Sequence, residues 1–285
     1  INKDFDTVDG ELFVKAYVPY VPERTHANGN KRNRKAQKKI NRFDRMIPGE
    51  FVLHYDTSML GKNMWRINPD DKITISVKLH GTSGIFANVK THVPIKLPII
   101  KRAWNLFVDT TGFFKKHRII DYTTEYGNVY SSRTVIKNQY INKNVNGGFY
   151  STDVWYDYNE LLKDKIDKGM TVYGEIIGYI SGSQTMIQKQ YDYGCEVGTN
   201  KFMPYRITTE YEDGKKYEWD VSEVKEWTEQ LIKKYPDIKE RIEIIDILYH
   251  GTLKDLYPQF DVTEHWHENV LEALKNDKEH FGMEL

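Results

Sequence analysis

Two short apolar-rich runs, Ile73 to Val77 and Ile85 to Val89, are dense in β-branched and aromatic residues and predict two strands. The residues between them, Lys78-Leu79-His80-Gly81-Thr82-Ser83-Gly84, form a glycine-bracketed turn that leaves Lys78 at the end of the first strand. A third run, Met170 to Tyr179, is apolar except for polar Thr171 and charged Glu175 and again predicts a strand. A carboxylate in a buried strand is costly unless it is paired or functional. Phe202 to Glu212 predicts a further strand, in a hairpin with Lys216 to Asp220 across Asp213-Gly214, and Arg241 to Leu248 another. Tyr126 to Thr134 reads as a turn followed by a strand.

Helical spacing is found in Asp157 to Lys168, through Leu161, Leu162 and Ile166, with Gly169 as the stop. Ser222 to Lys234 and Thr263 to Asn276 predict two more helices, the second preceded by Asp261 and Glu264 at capping-box spacing. The stretch from His92 to His117 interrupts the strands with Pro, Lys and aromatics. It predicts an insertion at about 92–125, with a short helix over Lys101 to Val108, that either touches RNA or serves as a structural flap. The expected organisation is an N-terminal segment, 1–72, followed by one α+β domain, 73–285, of antiparallel sheets flanked by helices.

Charge adds a polyanion to this picture. The formal net charge of the 285 residues is +0. Basic residues are in excess up to about Thr208, however, and the remainder to Leu285 is acidic. Within Arg24 to Arg45, the cations Lys31, Arg32, Arg34, Lys35, Lys38, Lys39 and Arg42 repel one another, so the segment is expected to be either a solvated, mobile arm or a helix neutralised by a polyanion, and the exposed Ala27-Asn28-Gly29-Asn30 favours contact with a phosphate backbone. The single Cys195 excludes an internal disulfide and fits a reducing compartment. No apolar run is long enough to span a bilayer, and the first residues do not resemble a signal peptide, so a cytoplasmic protein and no membrane partner are expected. His265 and His267, two apart on a helix, make a poor metal pair.

The chemistry begins at Lys78. A lysine amine is nucleophilic only when unprotonated, and small residues around it let backbone N–H groups approach a phosphate closely. Lys78-Leu79-His80-Gly81 resembles the nucleophile motif of the covalent nucleotidyltransferases, the superfamily of DNA ligases, RNA ligases and mRNA capping enzymes. With His in the third place and Thr82 after the glycine, it is most similar to the RNA-ligase branch of T-even phage nick-sealing and kinetoplastid editing ligases. Three later stretches resemble further motifs in the superfamily's order: Ser132-Arg133, Tyr173-Gly174-Glu175, and Phe202-Met203-Pro204-Tyr205-Arg206-Ile207.

The resemblance, which covers Ile73 to about Ile207, implies an ATP-dependent RNA ligase. Such an enzyme joins 5′-phosphate and 3′-hydroxyl ends through lysyl-AMP on Lys78, with Mg2+, for RNA repair. RNA ends, including those of a nicked duplex, would be its partners, and a monomeric, phage-encoded enzyme is expected. Val77, Leu79, His80, Gly81 and Thr82 would shape the nucleotide site. Arg133 would steady a phosphate, while Glu175 would accept bonds from the ribose and hold a metal-bound water. Tyr205 would stack on adenine, with Phe202 as the competing choice.

This chain departs from the phage type at Val77 and Ser83, where that type has Glu and Asn, so ATP rather than GTP is inferred from the overall likeness. A Glu-Gly-aliphatic strand and a Lys-x-Lys strand are not found from Thr208 onward. Either they lie beyond Leu285 or the ligase is degenerate. The alternatives are a non-catalytic RNA-binding relative, and a capping guanylyltransferase or DNA ligase using the same lysine.

Overall fold

The computed structural model describes residues 7–8, 11–12, 43–54, 57–111, 119–141 and 153–277. The seven cations of the basic arm, Lys31 to Arg42, lie outside these residues, so the arm stands as an expectation. The chain divides into two compact units, Ile1–Asn41 and Arg42–Leu285. In the first, strands β1 (Thr7–Val8) and β2 (Glu11–Leu12) pair antiparallel. The second unit begins thirty residues before the boundary expected at 72, because residues 43–54 pack on its sheet. Within this stretch β3 (Phe43–Asp44) pairs with β7 (Tyr140–Ile141), Met46 bridges to Thr91, and the Tyr173 hydroxyl donates to the Val52 carbonyl.

The second unit is built on a five-stranded, wholly antiparallel sheet. Its order is β10 (Lys216–Glu218), β9 (Asn200–Glu210), β8 (Met170–Gly178), β5 (Thr82–Pro94) and β6 (Tyr122–Ser131). Helices flank it, so the fold is α+β with antiparallel sheets. The apolar-rich stretches of the two central strands, Ile85 to Val89 of β5 and β8 apart from Glu175, are mostly buried because packed residues meet them on either face. On one face Phe86, Val172, Ile176, Phe202 and Ile207 form the main core with α3 (Val154–Leu162) and α4 (Val221–Lys234). On the other face, Ala87, Val89 and Val129 are covered by Met46, Phe51 and Ile136.

A smaller two-stranded sheet pairs β4 (Lys72–Ser76) with β11 (Ile247–Thr252). Ile73 and Ile75 of β4 pack on a second core that includes Met64, Leu253 and Trp266, under α5 (Leu253–Leu256) and α6 (Trp266–Asn276). The first short helix, α1 (Leu60–Asn63), and a 3-10 turn, Met64–Arg66, lead into β4.

Several local expectations are corrected. β5 continues to Pro94 and β6 begins at Tyr122, so residues 92–94 and 122–125 belong to a long hairpin and not to the insertion. The insertion's helix, α2, runs over Ile99–Thr111, longer than Lys101 to Val108. Tyr126-Gly127 lies inside β6 rather than in a turn, because Gly127 leaves room for the Arg45 guanidinium and Thr91 against the strand.

The α3 helix starts at Val154, where the Asp153 side chain accepts from the Tyr156 N–H, and ends at Leu162. The strand expected over Arg241 to Leu248 forms over Ile247–Thr252 instead. Ile242 and Ile245 are buried as side chains, and Ile242 makes an isolated bridge to Phe202. No Asp261–Glu264 capping box forms, since α6 begins at Trp266 without a side-chain cap. The capping box sits at α4, where Asp220 and Glu223 reciprocate.

Candidate active site

Lys78 emerges from the small β4–β11 sheet and is carried by a turn into β5 of the large one. The Val77 N–H donates to the Asp246 carbonyl, which fastens the start of the turn, and Leu79 packs on Ile177, Tyr179, Cys195 and Met203. At the other end the Gly81 N–H donates to Glu175 Oε1 over 2.9 Å. A Cβ at Gly81 would collide with the Ile176 carbonyl, so only glycine lets the turn lie this close to β8.

The sheet register explains why Tyr173-Gly174-Glu175 is spaced as it is. Ser83, Glu175 and Met203 lie opposite one another across three strands, on the face away from the main core. Gly84 and Gly174 pair on the core face, where a Cβ at Gly84 would meet the Phe86 ring and one at Gly174 the Phe202 ring. Those two rings meet edge to face at 5.0 Å. Phe202 is therefore fully buried on the core side, and the structure does not bring it to Lys78.

Tyr205 reaches the site through a β-bulge. Tyr173 pairs with Arg206 and Gly174 with Pro204, which leaves Tyr205 as the extra residue of β9. Pro204, with no N–H to give, is tolerated at such a break in the ladder. The bulge allows two consecutive residues, Tyr205 and Arg206, to line the same cleft. Arg206 is held by a two-pronged ion pair with Glu218, at 2.8 Å for each bond, and lies 4.5 Å from the centre of the Tyr173 ring.

The cleft has a volume of about 880 Å3 and lies between Thr74, Ser76 and Ile247 of the small sheet and Glu175, Tyr205 and Arg206 of the large one. Val77, Lys78, Leu79, His80, Gly81, Thr82 and Arg133 all line it. Arg133 enters from the turn after β6, where the Ser132 N–H bonds the Val135 carbonyl. Burial pushes the Glu175 carboxyl up to about 7, against the opposing pull of the Gly81 N–H, Arg133 and Lys78. The Tyr205 phenol is likewise pushed up by burial and by the negative charge of Glu175.

Sequence reasoning missed His54, Gln188, Arg206, Glu218 and Trp219 as wall residues. A proline inside a strand pattern was the one available signal for the bulge, and hence for Arg206. Among the described residues no group of three or more His, Cys, Asp and Glu side chains gathers as a metal cage. Mg2+ needs only one or two carboxylates when phosphates supply other oxygens, and of the two carboxylates that line the cleft, Glu218 is already paired with Arg206 while Glu175 lies beside the turn that carries Lys78.

No family model matches the sequence, and no curated protein matches it either. Among solved structures, the chain is similar to an apo mutant RNA ligase of Naegleria gruberi, at 13% identity and a TM-score of 0.38. The match covers 82% of this chain and 49% of that one, so this chain spans about half the length of that ligase. No helix among the described residues is long and apolar enough to cross a membrane.

Proposed function

We propose that this protein is an ATP-dependent RNA ligase that works through lysyl-AMP on Lys78. The observation that carries the reading is convergence. Lys78, Arg133, Glu175 and Tyr205, drawn from four separate segments singled out by motif order, line one cleft.

In the first step the Lys78 Nζ lone pair attacks the α-phosphorus of ATP. The bond to the β-phosphate oxygen breaks, pyrophosphate leaves, and the amine gives up a proton to solvent. Arg133 offsets the phosphate charge, Tyr205 stacks on the adenine, and Glu175 accepts bonds from the ribose hydroxyls. Glu175 is the residue that would help hold Mg2+, which when bound would supply offsetting positive charge to the phosphates. In the second step an RNA 5′-phosphate oxygen displaces Lys78 from the adenylyl group, and the lysine takes up a proton. In the third, a 3′-hydroxyl attacks the activated 5′-phosphate, releasing AMP and a proton.

The test is intact-protein mass spectrometry after incubation with ATP and Mg2+, in the wild type and in Lys78→Ala, with the protein at its natural length. An AMP-sized increase confined to the wild type is expected, together with sealing of a 5′-phosphate to a 3′-hydroxyl RNA end. Labelling by GTP alone would transfer the reading to a capping-type enzyme. No labelling by either nucleotide, with RNA binding intact, would leave a non-catalytic RNA-binding relative.

A further inference from the structure

The connection between β8 and β9 carries two tyrosines that the proposed chemistry does not use. Tyr191 and Tyr193 stack with ring centres 6.0 Å apart and planes 22° from parallel. Tyr191 in turn lies 4.9 Å from the His80 ring, and the Tyr193 hydroxyl accepts the His80 backbone N–H at 2.8 Å. The result is a three-ring ladder that begins two residues from Lys78.

The ladder is held at a conformational cost. Gln190 (φ 73°) and Tyr193 (φ 50°) are both left-handed without being glycine. Such residues persist where surrounding structure enforces them, often at functional sites. Here Ile187 and Cys195 are buried anchors on either side, and the Asp192 carboxylate accepts the Gly194 N–H to close the turn. Even so, Tyr191 and Tyr193 remain 41% and 37% exposed, which leaves ring surface open to a further stacking partner.

We infer that Tyr191 and Tyr193, with His80, form a stacking platform for the terminal nucleobase of the RNA 5′-phosphate strand. His80 and Gln188 line the cleft, so the platform is continuous with it. Tyr205 stands instead beside Glu175 and Ser83, further along the turn, which leaves the two aromatic surfaces for two different bases. The base next to the phosphate that receives AMP must lie close to Lys78, and a sequence-tolerant stack suits an enzyme that joins ends. Lys189, exposed on the same loop, is placed for a backbone phosphate.

The inference rests on the ligase reading for the identity of the strand, and its test is separate. A 5′-phosphorylated oligoribonucleotide carrying 2-aminopurine at its first nucleotide is titrated with protein in the absence of ATP. Wild type should quench the fluorescence. Tyr191→Ala should lose the quench and bind roughly tenfold more weakly, whereas Tyr191→Phe retains both. Equal binding and quenching by Tyr191→Ala would overturn the platform. So would a loss confined to 2-aminopurine riboside triphosphate, because the tyrosines would then serve only to hold His80. If ATP fails to label Lys78 while the Tyr191-dependent quench persists, the ligase reading falls and the platform stands. The opposite pair of results removes the platform alone.

Discussion

Replacing Glu175 by Gln should make the free protein more stable at alkaline pH while it removes the proposed nucleotide contact. The Gly81 N–H needs an acceptor, and a Gln side-chain oxygen at the same place can still supply one. What the substitution removes is the cost of ionising a buried carboxyl. Burial raises that group in the folded protein from an ordinary 4.5 to about 7. The folded state therefore binds the proton more tightly than the unfolded chain, and stability from this source is present below pH 4.5 and lost as pH rises through about 7.

The separation of the two values corresponds to about 3 kcal/mol once both states are ionised. About 1 kcal/mol of it is already lost at pH 5, so the wild type should lose roughly 2–3 kcal/mol relative to Glu175→Gln between pH 5 and pH 8. Urea unfolding of both proteins at the two pH values, without nucleotide, measures this difference directly. Other titrating groups cancel in the comparison. A gap between the proteins that changes by less than about 0.5 kcal/mol over this range would show that Glu175 is not shifted, and would refute the burial argument. If the shift is found, a residue that weakens the fold at neutral pH is being retained for another reason, which is the expected signature of a functional carboxylate.

Three further outcomes follow from the geometry. Gly81→Ala should destabilise the protein by about 1–3 kcal/mol in urea unfolding, because its Cβ meets the Ile176 carbonyl, and it should also abolish AMP labelling. Tyr205→Ala should weaken ATP binding in calorimetry by about 1–3 kcal/mol, whereas Tyr205→Phe keeps the ring and loses little. Asp220→Ala should cost about 1 kcal/mol in unfolding through the lost capping box at α4, with AMP labelling at the wild-type level.

The parts of this fold that were legible in the sequence are the stretches of strand that are mostly buried. Ile85 to Val89 of β5 and most of β8 are buried, and their Ile, Val and Phe residues stand out without reference to any partner. The Arg241 to Leu248 run was misread for a related reason. Ile242 and Ile245 are indeed buried, but burial came from side chains entering the cores, while the ladder formed further on with β4, some 170 residues earlier. A local pattern carries no information on that pairing. The choice between Phe202 and Tyr205 was open for the same reason, because only the register against β8 sets Phe202 on the core face and makes Tyr205 the bulge.

The candidate site is itself non-local. Its turn is tied to Glu175, 94 residues away, and to Tyr193, 113 residues away. Yet the segments that supply these two residues, and Tyr205 with them, each break a local rule: a carboxylate in an apolar strand, a proline beside the bulge of β9, and two left-handed residues in a tyrosine-rich loop. Consistency between local preference and global fold is what makes a sequence fold, so residues that violate it need a compensating use. All three lie in segments that contribute a residue to the cleft or hold the turn that carries Lys78. Stability alone gives them no reason to coincide there, whereas the proposed reaction on Lys78 would supply one.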